Sequence, residues 1–563
     1  MKLTRATSLL LTGLLASGCA STINEPTATF LQSPITINTQ AYWQLGLTSS
    51  DFDALVTNLN AGADINETLY ALRGFSYFGN TKNLTAEQLT ALDSALFARM
   101  QTIAKDDYRA IENYAVTLYL YYYFDDLKDK LAKHLPLLPN VALSDASPLA
   151  AQYAKWERLR AIGFLAFEAR SKDEVKQAVL AQTNWQQELL DLLQNDNSWQ
   201  QEHAAWALGY LHYILDDEAA EKSLDEKVWA ALEQNPKTNK EFIFSQRYLV
   251  NSFRGKSACD DEFKGRCSEI TLDDALPINH KCSDSLFIRA QTLTTEQLNI
   301  SCERLISQES HFHDVYATNR QPVPNDFNEA LRVVIFDNYT GYNQHGQMIF
   351  DISTDNGGMY IEGKPSKPGN QATFYSFKAF WKEDFSVWNL NHEYVHYLDG
   401  RFNKYDGFGH FPSHLVWWSE GGAELIAQGK SNDRVNKLLH ETEQEKWPSL
   451  REVFDTTYKD GSKRVYQWSY LAHRYLSENA LDDYRQLAHF LRTDYFDGYS
   501  ELLDSLVAKH GDNFANYLAS YKQTNPYQEA AVKAKPNKLY RYLYRDYLMP
   551  KALKITAEHN HIL

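Results

Sequence analysis

The stretch that decides the fold is His392-Glu393-Tyr394-Val395-His396, followed by Trp417-Trp418-Ser419-Glu420-Gly421-Gly422-Ala423-Glu424. On a helix, residues i and i+4 lie on one face, so His392 and His396 can direct both imidazoles at one metal ion. Glu393 lies beside them and is free to accept a proton from a metal-bound water. This pattern predicts a catalytic zinc site that needs one more protein ligand.

Several side chains after the motif compete for the place of the third zinc ligand. The metzincin pattern is excluded, because Asp399 and Phe402 stand where that pattern has Gly and His. His410 and His414 lie in or just after an aromatic stretch with two glycines, which is typical of a loop, and we interpret them as polar loop residues.

The acidic residues of the second motif suit the zinc site better. Glu420 begins a second helical stretch that runs to Gln428, and Glu424 lies one turn later on the same face. Ligating histidines usually donate their other N–H to a carboxylate. We therefore predict that Glu420 binds zinc and that Glu424 supports the histidines, with the reverse assignment still open.

Hydrophobic patterning places the first motif on a helix from 385 to 402, with Asp384 or Ser386 as its N-cap and Gly400 near its end. Runs of β-branched and aromatic residues predict strands at 331–337, 348–352, 359–362 and 373–381. A mainly helical region from about 430 to 550 follows. We expect the active cleft between the α+β part and this helical part.

Three motifs together resemble microbial collagenases of the Vibrio type, which are gluzincin zinc metallopeptidases. They are His392 to Phe402, Trp417 to Glu424 and, upstream, Ser353 to Glu362. The resemblance covers the region from about 325 to 550. It implies a thermolysin-like peptidase domain and an endopeptidase that cleaves collagen, gelatin or related peptides on the N-terminal side of Gly in Gly-X-Y repeats.

Carried over by position, the resemblance implies that His392, His396 and Glu420 bind zinc and that Glu393 is the general base. Tyr466 is our candidate for the hydroxyl that stabilises the developing oxyanion, and a packing role is the alternative.

The upstream motif adds a substrate site and a second metal. Gly357 and Gly358 would give an edge strand along which the substrate backbone lies, since glycine permits close approach of another backbone. A plain hairpin turn at Asn356-Gly357 is the alternative. Glu362 matches a position that helps to bind calcium in related collagenases.

Two other functions stay open. Gluzincin aminopeptidases place a glutamate directly after Gly-x-Met to hold the free amino terminus, whereas Met359 is followed here by Tyr360. An endopeptidase is therefore favoured over an aminopeptidase. A non-catalytic, lipid-anchored helical-repeat adaptor is the third possibility.

The amino terminus predicts export. Lys2 and Arg5 precede a short apolar run, Ser8 to Leu15, and Ala16-Ser17-Gly18-Cys19 is similar to a lipoprotein cleavage box. We expect an outer-membrane lipoprotein anchored at Cys19 or, if the box is not used, a secreted protein.

Four further cysteines are clustered in one stretch, at 259, 267, 282 and 302, and in an exported chain they predict two disulfides. Of the three possible connectivities we favour 259–267 and 282–302. A zinc site made of all four thiolates is the alternative.

Composition and patterning bound the rest of the chain. The net charge of −16 over 563 residues argues against a nucleic-acid partner, and we expect a monomer. Amphipathic helices are predicted at 86–100, 108–124, 149–169, 174–193 and 199–215, which suits a HEAT-like or tetratricopeptide-like array and the activator domain that the resemblance implies. No β-sandwich collagen-binding module is expected after Pro550, so we expect weak attack on insoluble fibres.

The predicted fold class is therefore multidomain: an all-α helical-repeat domain, an α+β gluzincin peptidase domain and a mainly helical C-terminal subdomain. The predicted boundaries are 1–19 for a lipoprotein-type signal peptide, 20–44 for a linker, 45–255 for the helical array, 256–324 for a disulfide-containing junction, 325–430 for the catalytic subdomain and 431–563 for the helical C-terminal subdomain.

Overall fold

The computed structural model describes residues 49–63, 65–78, 84–194, 198–379, 384–412 and 415–527. The described residues of its first half are mainly a succession of helices. These helices are α1 Ser49–Ala61, α2 Ile65–Phe78, α3 Ala86–Met100, α4 Tyr108–Thr117, α5 Leu120–Tyr123, α6 Leu131–His134, α7 Leu149–Ala169, α8 Asp173–Leu180, α9 Thr183–Leu193, α10 Ser198–Tyr213, α11 Glu218–Glu233, α12 Lys240–Ile243, α13 Lys256–Asp260 and α14 Leu272–Ala275.

The helix boundaries follow local capping chemistry. Thr85 and Gln88 form the capping box that starts α3: each side chain accepts the backbone N–H of the other residue. The stretch 174–193 was predicted as one helix, which is wrong. It forms α8 and α9, because the Gln182 amide caps α8 by donating to the Ala178 carbonyl and the chain then turns. The predicted helix 108–124 likewise divides into α4 and α5.

A continuous hydrophobic core runs through this helical half, from Phe52 to Phe263. Charged groups inside the core are paired. Arg73 on α2 donates to Glu112 on α4 at 2.8 Å and to Glu157 on α7 at 2.9 Å. These buried pairs fix how the three helices pack, because a buried charge without a partner is costly.

The second half contains one mixed sheet. Its strands are β1 Ile278–Ser283, β2 Leu286–Ala290, β3 Leu331–Phe336, β4 Met359–Ile361 and β5 Thr373–Phe377, in the spatial order β1-β2-β3-β5-β4. β3 pairs in parallel with β2 and β5, whereas the two outer pairs are antiparallel. β4 is therefore an edge strand that can accept another chain.

One predicted strand is wrong. Residues 348–350 end a helix, α16 Tyr339–Phe350, instead of starting a strand. Asn338 caps its first turn by accepting the N–H of Gly341, and Asp351 ends it in a left-handed conformation with φ 51°. The short apolar run at Met348 is compatible with a strand or with a helix, and the Asn338 cap stabilises the helix.

The stretch 256–324, predicted as a disulfide-containing junction, contains regular secondary structure. It supplies β1 and β2 to the sheet and a long helix, α15 Thr295–Tyr316. Both predicted disulfides are confirmed. Cys259–Cys267 closes the loop after α13, and Cys282–Cys302 ties β1 to α15.

The remaining helices are α17 Leu390–Phe402, α18 Val416–Gln428, α19 Asp433–Glu441, α20 Leu450–Phe454, α21 Ser469–Asn479, α22 Leu481–Arg492 and α23 Phe496–Thr524. α17 starts five residues later than predicted, so neither Asp384 nor Ser386 is its cap. The chain before it pairs with the end of β5, where Trp388 donates to the Phe377 carbonyl at 3.0 Å. No helix among the described residues is long and apolar enough to cross a membrane.

Candidate active site

Two helices bring three metal-ligating side chains together. α17 carries His392 and His396, and α18 carries Glu420. One donor atom from each residue lies within 4.8 Å of the other two. Glu420 Oε2 is 3.1 Å from His392 Nε2 and 3.5 Å from His396 Nε2. These three residues could hold a metal ion.

The donor set suits zinc. Two imidazole nitrogens and one carboxylate oxygen are a common catalytic combination, and they leave a coordination position for water or substrate. Burial would lower the pKa of His392, but hydrogen bonds to Glu420 and Glu424 raise it to about 10. The same carboxylates that stabilise positive charge on this ring would stabilise a metal cation beside it.

Glu424 lies behind the histidine pair. Its Oε1 is 3.3 Å from His392 Nδ1, the nitrogen that faces away from Glu420. Arg434 donates to both Glu424 oxygens, at 3.1 and 2.9 Å, and Asn432 donates to Oε2 at 3.2 Å. Although burial opposes it, the hydrogen bond with His392 and the charge of Arg434 hold the pKa of Glu424 below its usual value. This geometry suits the predicted order, with Glu420 facing the metal position and Glu424 supporting His392.

Glu393 has the surroundings of a general base. Burial raises its pKa above the usual value, against the charges of His396 and His392 and a hydrogen bond from the backbone of Tyr360. A carboxylate whose pKa is moved towards neutrality is a better proton acceptor near neutral pH. The contact with Tyr360 also joins the base to the edge strand β4.

These groups lie in a cavity of about 880 Å³, whose lining includes Gly358 to Tyr360, Tyr458 and Tyr466. Gly357 and Gly358 come directly before β4. A Cβ at Gly357 would lie 2.8 Å from the Trp388 indole nitrogen, and Gly358 has φ +121°. The hairpin alternative does not occur, because the element before these glycines is α16.

Tyr466 lies close to His392, and its role as an oxyanion donor stays a prediction. It belongs to a π-helical turn, Lys463–Trp468, and its ring centroid is 5.8 Å from that of His392. Burial raises its pKa to about 12, so the phenol keeps its proton at neutral pH. Within the described part of the chain, its hydroxyl has no hydrogen-bond partner and is free to donate.

Two residues that contact the predicted site glutamates were not predicted from the sequence. Tyr458 donates its hydroxyl to Glu420 Oε1 at 2.8 Å, and Arg434 holds Glu424. Neither has a spacing relation to the zinc motif. The chain contains 35 tyrosines, so its composition did not single out Tyr458.

The predicted calcium ligand Glu362 remains untested, and the two histidines interpreted as loop residues are not seen among the candidate metal ligands within the described residues. Glu362 is buried at the cavity wall, where it accepts the backbone N–H of Phe408 at 2.6 Å. Within the described ranges it joins no group of three His, Cys, Asp or Glu donors, and its calcium site stays a prediction. His410 bonds Asp494 at 2.7 Å, away from the zinc ligands, and His414 is outside the described residues.

Comparisons with known proteins agree with the geometry. Residues 238–517 match the family model Peptidase_M9, described as collagenase. A microbial collagenase of Vibrio alginolyticus is 42% identical over 253 residues, which are 44% of this chain and 28% of that protein. A microbial collagenase of Vibrio vulnificus (strain CMCP6) is 34% identical over 266 residues, 46% of this chain and 32% of that protein.

A more distant relative is collagenase ColA of Clostridium perfringens (strain 13 / Type A). It is 24% identical over 358 residues, 59% of this chain and 30% of that protein. The chain thus spans about a third of the length of these curated relatives. The resemblance to Vibrio-type microbial collagenases is confirmed, and the matched region contains every residue of the candidate site.

Proposed function

Because residues 238–517 match the collagenase family of M9 peptidases, we propose that the protein is a zinc-dependent endopeptidase acting on collagen-type or gelatin-type Gly-X-Y peptides. The observation that carries the proposal is the convergence of His392, His396 and Glu420 within 4.8 Å. Glu393 stands beside them, and the edge strand β4 borders the same cavity.

We assign each residue a role that this geometry supports. Bound zinc would supply a Lewis acid and lower the pKa of a water molecule to near neutrality. Glu393 accepts the proton of that water and later passes it to the leaving amine. Tyr466 donates its free hydroxyl to the carbonyl oxygen as negative charge develops there, which is worth about 3 kcal/mol for a well-placed donor.

The edge strand explains how a peptide is held. An extended substrate can add to β4 through main-chain hydrogen bonds, with its scissile bond facing Glu393. Such binding needs no free amino terminus.

The mode of cleavage tests this proposal. Zinc-loaded protein is incubated with a peptide library that includes N-acetylated Gly-X-Y peptides, and the products are identified by mass spectrometry. We expect internal cuts on the N-terminal side of Gly in blocked and free peptides alike. Stepwise removal of residues from free peptides only would favour the aminopeptidase instead. A zinc-loaded protein that cuts nothing would favour the adaptor.

We also propose that the protein is exported. The two disulfides favour an oxidising compartment. The signal peptide and the lipid anchor at Cys19 lie outside the described residues and stay predictions. Mass spectrometry of the mature amino terminus tests both.

A further inference from the structure

Tyr458 lines the cavity and donates its hydroxyl to Glu420, a candidate zinc ligand. It begins a short 3-10 turn, Tyr458–Asp460, in which Asp460 accepts the N–H and the hydroxyl of Thr457 at 2.7 and 2.8 Å. This box fixes the backbone beside Tyr458. Although 54% of the Tyr458 surface is exposed to solvent, its hydroxyl donates a hydrogen bond to Glu420.

The two oxygens of Glu420 have different partners. Oε2 faces both imidazoles, at 3.1 Å from His392 and 3.5 Å from His396. Oε1 accepts the Tyr458 hydroxyl at 2.8 Å. A partial rotation of the carboxylate about its terminal bond would break the hydrogen bond with Tyr458, whereas a full exchange of the two equivalent oxygens would restore it.

A phenol, whose ordinary pKa is about 10, stays protonated near neutral pH and remains a donor to Glu420.

We propose that Tyr458 is a positioning residue for the third zinc ligand. By occupying Oε1, it holds Glu420 so that a single oxygen, Oε2, points at the metal position between the histidines. This inference rests on the proposed zinc site. Tyr458 gives Glu420 a supporting hydrogen bond, as Glu424 gives one to His392.

The second tyrosine of the cavity wall offers a matched control. Tyr466 has no hydrogen-bond partner within the described ranges, and its ring lies over His392 at 5.8 Å between centroids. Both tyrosines line the same cavity, and Phe keeps the ring in each case. Tyr458→Phe and Tyr466→Phe thus remove one hydroxyl each, from different places around the same metal position.

The test measures zinc affinity, independently of turnover. The full chain and both variants are stripped of metal and titrated with zinc against a chromophoric chelator, and thermal melting of the stripped proteins checks folding. We expect Tyr458→Phe to bind zinc about tenfold more weakly, as for loss of a supporting hydrogen bond. Tyr466→Phe should bind zinc like the wild type and lose kcat on a peptide at saturating zinc.

A zinc affinity of Tyr458→Phe within about twofold of the wild type would overturn the inference, since supporting partners contribute more than that. So would an equal loss in both variants, because the effect would then be general to the cavity wall. Failure of the proposed function is a separate result: a wild type that binds zinc and hydrolyses no peptide would refute the peptidase, while the affinity difference would still report on Tyr458.

Discussion

His473 is a buried histidine that helps to hold the zinc-ligand helix α18. Its Nε2 is 3.1 Å from the Trp417 carbonyl oxygen and its Nδ1 is 2.6 Å from the Tyr484 hydroxyl. A carbonyl only accepts, so Nε2 carries a proton. Burial lowers the pKa of His473 to about 3.

This pKa predicts a pH dependence of stability. In the unfolded chain this histidine has a pKa of about 6.5 and binds a proton below that pH. In the folded protein it stays unprotonated down to about pH 3. The stabilisation is complete above pH 6.5 and is lost as pH falls towards 3. Between pH 7 and 5 we expect a loss of about 2 kcal/mol in the free energy of unfolding, measured by urea titration at constant zinc.

The variant His473→Gln should lack this part of the loss. His410→Gln serves as the control, because His410 is an exposed residue bonded to Asp494. Equal pH dependence in the wild type and His473→Gln would refute the assignment.

The site residues that could be predicted from the sequence are those whose spacing along one helix brings their side chains together. His392, Glu393 and His396 share one helix, so their i, i+4 spacing alone brings the imidazoles together. Tyr458 and Arg434 reach the site from other segments, and no spacing rule relates them to the motif. Sequence patterns therefore predicted the candidate metal ligands, but they did not predict Tyr458 and Arg434, which hydrogen-bond the two glutamates.

At the scale of elements, the glycines of α18 set its distance from α21. A Cβ at Gly421 would lie 2.7 Å from the backbone carbon of Ser469 and 2.7 Å from His473 Cδ2. Backbone atoms cannot move aside as a side-chain end can. The two helices are therefore in contact at Gly421, the residue after Glu420.

We expect Gly421→Ala to force α18 away from α21. The cost should be about 1–3 kcal/mol in the free energy of unfolding, together with weaker zinc binding, since Glu420 moves with the helix. Chemical denaturation and zinc titration measure the two effects.

Gly511→Ala on α23 is the matched control, because no atom lies within 4 Å of a Cβ there. Alanine in an exposed helix should be neutral or stabilising by up to about 1 kcal/mol. If the two alanine variants behaved alike, close packing at Gly421 would not explain the motif.

Elements with strong local signals were predicted well. α7 has the predicted bounds, and the Thr85 capping box starts α3. The wrong predictions concern short segments whose secondary structure is decided by the neighbouring elements. Residues 348–350 continue the helix that Asn338 caps, and the start of α17 is delayed by pairing with the end of β5. Such tertiary pairing is invisible to periodicity.

At the scale of the whole molecule, the helical half contacts the segment that leads into the edge strand. Asn343 on α16 donates to Asn251 at 2.9 Å, and Gln347 donates to the Val250 carbonyl at 2.6 Å. Both α16 side chains also bond Thr354, which is fully buried three residues before Gly357.

The sequence predicted the order of a helical array, a sheet and a helical end, yet it placed residues 278–290 outside the sheet. The strands there are short, and β1 carries alternating half-buried and exposed residues that are also typical of a loop. Their place beside β3 is set by long-range pairing, which no local pattern displays.

The most direct test of the central claim compares the wild type with Glu393→Gln for zinc content and for hydrolysis of an internally quenched Gly-X-Y peptide. We predict equal zinc content, because His392, His396 and Glu420 are unchanged. Turnover should fall by a factor of about 100 or more, since the group that accepts the proton of water is lost. Unchanged turnover in Glu393→Gln at equal zinc content would contradict the account.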